Sequence, residues 1–372
     1  MRYDLAIVGA GILGLAHALA ASRLGLRTIV IDRDQRAVGA SIRNFGFVTV
    51  TGQQSGECWR RAMRSRDIWD EIAPRAGIEM LQRGLAVLGR RPETVPVLEA
   101  FCAHPEMGPG CTMLSPAEAR ARFPWMEGAV SGVLLSPHER RVESRDAIPR
   151  LARYLEEGLG VTFRRGLAVQ GVEPGRLLTA EGPIEATKIA LCPGDDLATL
   201  FPERLAAAGI GRSKLQMMRL VPATPLALTH AVMTDLSLVR YLGWAELPEA
   251  AALRARLARE QPAHLAGGVH LIVVQSADGS LIVGDTHVYG DTMDPFADEA
   301  LDALVLDEFR AVFPGIDYRI SERWIGTYAA LDDRLVFLDQ PMKDVRLSIV
   351  TSGTGASTAF AIGEEVIRDL CA

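Results

Sequence analysis

The chain of 372 residues is short of cysteine, of lysine and of uninterrupted apolar runs, and each shortage removes a class of protein. Its five cysteines, Cys58, Cys102, Cys111, Cys192 and Cys371, are odd in number, widely spaced and free of any CxxC pair. That pattern excludes a disulfide framework and gives no metal-ligand spacing, so no metal is expected. No apolar stretch reaches the roughly 18 residues that a membrane-spanning helix needs. A surplus of positive charge is also missing. Forty Lys and Arg against 46 Asp and Glu give a net charge of -6, which argues against a face built to neutralise nucleic-acid phosphates. Only Lys188, Lys214 and Lys343 are lysines, so cationic groups in any pocket are mostly arginine. The apolar stretch Leu5 to Ala16 and the small residues from Ala18 to Ser22 have the outline of a secretory leader. Asp4 cancels Arg2, however, and the glycines in the stretch have another use, so a cytoplasmic, soluble protein is expected.

What is present is the balance of a soluble globular protein: 48% hydrophobic and 23% charged residues, and enough chain for one large or two intimately joined domains. Tyr3 to Val8 reads as a strand, Leu13 to Leu24 as a helix and Thr28 to Ile31 as a second strand. Ser115-Pro116-Ala117-Glu118 reads as a capping box with proline at the first helical position, a structural motif without chemistry. Val142 to Glu157 is a helix candidate, followed by strands at Val161 to Phe163, Ala168 to Val172 and Ile189 to Cys192. His270 to Gln275 and Leu281 to Gly284 flank a turn at Ala277-Asp278-Gly279-Ser280 and read as a hairpin. Pro248 to Glu260 and Asp298 to Phe313 read as helices, and Leu347 to Thr351 as a last strand before a glycine turn and a closing helix from Thr358 to Leu370.

The sharpest chemical signal is Gly9-Ala10-Gly11-Ile12-Leu13-Gly14, a GxGxxG that follows a strand and opens a helix, with Asp32 at the end of the next strand. Gly9 permits the tight turn, Gly11 lets a pyrophosphate approach the backbone, and Gly14 lets the helix pack on the strand. The helix start offers N–H groups and the positive end of its dipole to phosphate. Asp32 is suited to accept hydrogen bonds from ribose hydroxyls. A bound dinucleotide follows, with FAD and NAD both open at this point.

Three further segments resemble one family. These are Gly39-Ala40-Ser41-Ile42-Arg43-Asn44-Phe45-Gly46, Ala190-Leu191-Cys192-Pro193-Gly194 and Ser352-Gly353-Thr354-Gly355-Ala356-Ser357-Thr358. Together with the fingerprint they resemble the D-amino-acid oxidase, glycine oxidase and sarcosine oxidase family of FAD enzymes over nearly the whole chain. The resemblance implies an α/β fold: a Rossmann-like FAD-binding domain of the glutathione-reductase type beside an α+β substrate domain on a mixed, largely antiparallel sheet. It implies a discontinuous FAD domain over 1–85, 140–213 and 325–372, and a substrate domain over 86–139 and 214–324. The implied FAD contacts are Gly9, Gly11, Ile12, Leu13, Gly14, Asp32, Arg33, Ala40, Ser41, Arg43, Asn44, Phe45, Gly46, Ala168, Val169, Cys192, Gly194, Gly353, Gly355, Ala356, Ser357 and Thr358. A helix start near Ala356 would stabilise the charge of reduced flavin. With no cysteine between Cys192 and Cys371, non-covalent FAD is expected.

The wording of Lys214 to Arg219, Gln275 to Leu281 and Gly284 to Tyr289 is similar to a subgroup associated with aminophosphonate utilisation, which implies a small amine substrate bearing a phosphonate, 2-aminoethylphosphonate or its N-methyl form. Where glycine oxidases carry an arginine that clamps a carboxylate, this chain reads Gly326-Thr327-Tyr328. Phosphonate favours arginine forks, lysine and hydroxyls. Arg43, Lys214, Arg219, Arg323 and Tyr328 are the candidates, with Lys214 and Arg323 preferred. His287 and His270 are the best polar groups for orienting or deprotonating the amine. Gln53 is a candidate for the ring or for a turn. Asp195 and Asp196 read as caps of a following helix and Glu364 and Glu365 as solvated. Oxygen or another acceptor would reoxidise the flavin. The competing readings are a sarcosine- or glycine-type oxidase, a flavin domain that modifies transfer RNA, which the charge opposes, and a silent flavin-binding module.

Overall fold

The computed structural model describes residues 2–372. Strand β1 (Tyr3–Val8), helix α1 (Ile12–Arg23) and strand β2 (Thr28–Asp32) form the expected opening unit. The two strands run parallel, with Leu5 opposite Thr28 and Val8 opposite Ile31. Helix α1 is buried from Ile12 through Ala21, because a helix apolar all round has to be covered on every side.

Among the described residues the strands form two sheets of eight and ten. The first runs Val336–Asp339, Val345–Val350, Ile184–Leu191, β1, β2 and Thr162–Arg165, parallel except at its Val336–Asp339 edge, with Arg176–Thr179 added antiparallel to the start of Ile184–Leu191 and Val169–Glu173 antiparallel to Arg176–Thr179. The second is mixed and mostly antiparallel. Its long strand Gly211–Pro222 lies next to one edge, paired on the outside with Tyr318–Ala330 and on the inside with Leu281–Gly284 and Val288–Gly290. The expected α/β class and the second, mainly antiparallel sheet are both found. The proposed domain limits differ in detail. The cuts at 85, 139, 213 and 324 fall inside the strands Gln82–Gly89, Gly132–Arg141, Gly211–Pro222 and Tyr318–Ala330. The reason is physical: a strand hydrogen-bonded along its length cannot be divided between two bodies.

The capping box at Ser115 is formed, with its hydroxyl and Glu118 reciprocally bonded. The hairpin turn after Gln275 is formed as well, closed by Ser276 N–H to the Ser280 carbonyl. The closing helix begins earlier than expected and spans Gly355–Cys371. It lies directly on α1: a Cβ placed on Gly363 would come 2.8 Å from the Ala16 carbonyl carbon and 2.9 Å from the His17 nitrogen. Helix α2 (Glu57–Arg75) seals the pair from outside. Trp69 Nε1 donates to the Ala356 carbonyl at 2.9 Å, and the Ala361 N–H donates to Ser65 Oγ at 3.1 Å. Glu364 and Glu365, expected to be solvated, pair with Arg23 and Arg64 and with Arg61, because the adjacent helices bring arginines against that face.

His17 sits inside this contact, its Nδ1 donating to the Leu13 carbonyl at 2.7 Å and its Nε2 without a partner. Burial lowers its pKa from 6.5 to about 4. The unfolded chain therefore binds a proton that the folded chain refuses, and stability falls as pH drops from 6.5 toward 4. Urea titrations should show this acid loss in the wild type and a shallower slope in His17→Leu. Gly363→Ala should cost about 1–3 kcal/mol in the same titrations at neutral pH, because the methyl group meets backbone that cannot yield.

Candidate active site

The GxGxxG turn has the geometry its sequence requires. Gly9 has φ +101°, and a Cβ there would lie 2.3 Å from the Cys192 carbonyl oxygen; a Cβ on Gly14 would lie 1.9 Å from the Gly9 carbonyl oxygen. Asp32 supports the turn from β2: Oδ2 accepts from the Ala10 N–H at 2.6 Å and Oδ1 from the Asp34 N–H at 2.8 Å. Ser41 Oγ accepts from the Ile12 N–H at 2.9 Å, so the segment after β2 is drawn across the start of α1.

That segment is organised by Asn44, the only asparagine in the chain. Its Nδ2 donates to the Ala40 carbonyl at 2.7 Å, while Oδ1 accepts from the Gly46 N–H and from Ser144 Oγ, each at 2.7 Å. Gly46, at φ +66°, lets the chain turn beneath it where a Cβ would strike the Val142 carbonyl oxygen at 1.7 Å. From the opposite end of the chain, Gly353 at φ +71° leads into the closing helix, and a Cβ on Gly355 would meet Ile12 Cγ2 at 3.4 Å. Two helix starts, α1 and the closing helix, thus face one crevice.

The crevice widens into a cavity of about 420 Å³ between the two sheets. Its floor is made by Gly11 to Gly14, Ser41, Asn44 and Gly353 to Ser357, and its apolar walls include Phe47, Leu215, Met217 and Ile272. Polar groups cluster at the far wall. His270 and Asp285 are held by paired backbone bonds, Asp285 N–H to the His270 carbonyl at 3.0 Å and the reverse at 3.2 Å. His270 Nε2 lies 2.9 Å from Asp285 Oδ1, and His287 Nε2 lies 3.8 Å from Asp285 Oδ2. The two imidazoles stack with ring centres 5.3 Å apart. Arg240 donates to the Tyr289 hydroxyl at 2.8 Å and shares the wall with Tyr328.

Electrostatics sort these groups. Burial holds His287 far below 6.5, at about 3, against the opposing pull of Asp285, so its ring is neutral. Asp285 is held below the usual carboxylate range although burial works against ionisation, because His287, His270 and Arg240 favour its charge. Burial pushes the Tyr328 phenol up to about 12, so it remains an O–H donor. The cavity therefore carries one carboxylate and at least one guanidinium, screened little by water.

The chain matches the family model described as FAD dependent oxidoreductase over residues 4–368. It belongs to that family. Among solved structures it is similar to glycine oxidase from Geobacillus kaustophilus, at 19% identity and a TM-score of 0.78, covering 99% of this chain and 94% of that one. It is similar to L-proline dehydrogenase from P. horikoshii, at 19% identity and a TM-score of 0.79, covering 99% and 92%. L-alpha-glycerophosphate oxidase from Mycoplasma pneumoniae, determined with FAD bound, gives 15% identity, a TM-score of 0.73 and coverage of 99% and 95%. No curated protein matches the sequence.

The crevice of this FAD dependent oxidoreductase fits its cofactor: Gly11, Gly14, Gly353 and Gly355 leave backbone open along its floor, and two helix starts point into it. Of the residues named from sequence, Gly11 to Gly14, Ala40, Ser41, Arg43, Asn44, Phe45, Cys192, Gly194, Gly353 and Gly355 to Ser357 line the crevice, and His270, His287, Tyr328 and Gln53 line the cavity. Gly9, Gly46 and Thr358 lie just behind that surface. Asp32, Arg33, Ala168 and Val169 lie outside its walls, Arg33 being ion-paired with Asp196 at 2.7 Å.

Lys214 and Arg323 are not brought to the cavity. In the Gly211–Pro222 strand Leu215 and Met217 face inward, so the alternation of the pleat sends Lys214 to the opposite face, where Nζ donates to the Phe296 carbonyl at 3.0 Å. Arg323 pairs with Asp302 at 2.8 Å on that same outer face. Arg219 is buried beside Arg141, Glu143 and Ser276, away from the cavity. Thr327, which stands where an arginine clamp was looked for, gives its hydroxyl to Asp195. Asp196 accepts from the Ala198 and Thr199 N–H groups in a turn, and no helix follows until Pro202.

Sequence reasoning passed over Arg240, Tyr289 and Asp285. Arg240 was one arginine among many, in a short connection between helical turns, and only its docking reveals it. Gly243 N–H donates to the Gly52 carbonyl at 2.9 Å and Trp244 covers Gly52, fastening this connection to the cofactor side. For Gly9→Ala, purified protein should lack the visible flavin band, because the Ile184–Leu191 strand must move to admit the methyl group. Gly39→Ala, which meets nothing within 4 Å, should keep the band.

Proposed function

We propose that this FAD dependent oxidoreductase oxidises the C–N bond of a small zwitterionic amine, 2-aminoethylphosphonate or its N-methyl derivative. The observation that carries the reading is the placing of Arg240 and two phenols with the Asp285 carboxylate in one cavity continuous with the crevice that fits FAD. A substrate with an anionic end and an amine end matches both. The likeness of the segments around Lys214, Gln275 and Gly284 to the aminophosphonate subgroup supports the phosphonate.

In this reading Gly9 to Gly14 and Ser41 to Gly46 hold the pyrophosphate, Gly353 to Thr358 hold the flavin edge, and Asp32, Arg33, Ala168 and Val169 hold the adenosine end. Attachment is non-covalent. The cysteine that lines the crevice, Cys192, is buried, and burial raises its thiol pKa, which leaves it a poor nucleophile. FAD, when bound, supplies the two-electron acceptor for the hydride next to nitrogen, and the imine left behind takes up water to give an aldehyde and an amine. Arg240 anchors the anionic end through its guanidinium fork, and Tyr289 and Tyr328 add hydroxyl donors. Phe47, Leu215, Met217 and Ile272 exclude water around the reacting carbon.

A sarcosine- or glycine-type oxidase is the second reading. It is favoured by the presence of Arg240 as the guanidinium beside the phenols, since one fork suffices for a carboxylate.

Anaerobic titration of the yellow protein decides between them. The phosphonate reading expects 2-aminoethylphosphonate or its N-methyl form to bleach the flavin faster than glycine or sarcosine; the reverse order would assign the carboxylate substrates. In either case Arg240→Met should raise the apparent KM for the anionic substrate by roughly tenfold or more, the loss expected for a charge-assisted contact.

A further inference from the structure

We propose that Asp285, with the lone pair of His287 Nε2 beside it, is the seat of the substrate's positively charged nitrogen, so that the cavity selects a zwitterion by both ends. The inference deepens the reading of this cavity as an amine-oxidising site and rests on it.

The geometry begins with a hydrogen bond. His287 Nδ1 lies 3.0 Å from the Gly268 carbonyl oxygen, which can only accept, so Nδ1 carries the proton. Gly268 is at φ +58°, and a Cβ there would strike His287 Cβ at 2.8 Å, so only glycine permits this approach. A neutral ring protonated at Nδ1 presents a bare lone pair at Nε2. That lone pair faces Asp285 Oδ2 across 3.8 Å. Two acceptors therefore confront each other with no proton between them.

The second carboxylate oxygen is equally unserved. Asp285 Oδ1 is buried and has no hydrogen-bond partner, since His270 Nε2, although 2.9 Å away, does not aim an N–H along that line. His270 Nδ1 is within 3.4 Å of Ser237 Oγ. Burying a carboxylate this deeply is costly unless something with protons or positive charge completes it. Asp285 is 5% exposed and lies on the cavity wall, so the completing group has to come from inside the cavity. Arg240 is committed to Tyr289 and makes no ion pair with Asp285. An ammonium carries two or three N–H donors and a full charge, which matches the vacant acceptors on Asp285 and His287. The ligand atoms of His270, Asp285 and His287 lie within 4.8 Å of one another, so a divalent metal ion is the alternative occupant that a test has to distinguish.

The test uses the flavin-loaded enzyme with its flavin first reduced by dithionite, so that no amine is oxidised, and equilibrium binding read by calorimetry and by perturbation of the reduced-flavin spectrum. Ligands come in pairs that differ by NH3+ against CH3: 2-aminoethylphosphonate with propylphosphonate, and glycine with propionate, titrated without oxygen at neutral pH. Wild type should prefer the ammonium member by roughly tenfold or more. In Asp285→Asn that preference should fall to about threefold or less, with the affinity for the methyl member retained. Equal affinity of wild type for the two members of whichever pair binds would overturn the proposal, and needs no variant. A one-to-one Zn2+ complex that Asp285→Asn abolishes, with the amine preference intact in that variant, would overturn it in favour of a metal. If only the carboxylate pair binds, the phosphonate reading fails while the role of Asp285 is still decided by the glycine pair.

Discussion

Everything in this molecule depends on backbone meeting backbone where the first and last helices touch. The space above the GxGxxG turn exists because Gly9, Gly14 and Gly363 have no side chains at three places where two main chains run within contact distance. A methyl group would push the Gly9 turn off Cys192, α1 off its strand at Gly14, or α1 off the closing helix at Gly363. The crevice is bounded by both helix starts, so such a separation would open its floor. Trp69 and Ser65 on α2 then lock the arrangement by bonding to the closing helix from the far side.

Above that floor the chemistry is a matter of charge held in a dry place. Neutral His287, ionised Asp285 and the protonated Tyr328 phenol owe their states to burial and to one another, not to solvent. Arg240 places a positive charge on the same wall. Opposite charges that do not neutralise each other directly give the cavity a direction, and a ligand with separated charges is aligned by it.

The sequence carried most of the cofactor crevice and less of the cavity. The glycine fingerprint and its acid could be read because the turn is local: its strand, loop and helix are consecutive, and each glycine answers to a contact within the unit or one strand away. The segment from Ala40 to Gly46 and the turn at Gly353 were recognisable only by resemblance, since their meeting spans the length of the chain. The cavity was harder. Lys214 looked suitable by residue type, but the alternation of its strand turned it outward, and the register that decides this depends on pairing with Tyr318–Ala330. Arg240 gave no signal because an arginine in a short connection resembles a solvated one until its connection is seen docked on Gly52. Asp285 stood close to His287 in the sequence, yet its place on the cavity wall rests on backbone bonds to His270, fifteen residues earlier, which the hairpin brings opposite.

The contact between first and last helices also has a consequence for the order of events at the ribosome. The opening β-α-β unit is complete in its own local turn, but the surface of α1 that the closing helix covers stays bare until the chain has been made as far as Gly355–Cys371. Cofactor capture thereby waits for the closing helix, and a chain cut short before Gly355 would leave the apolar surface of α1 uncovered.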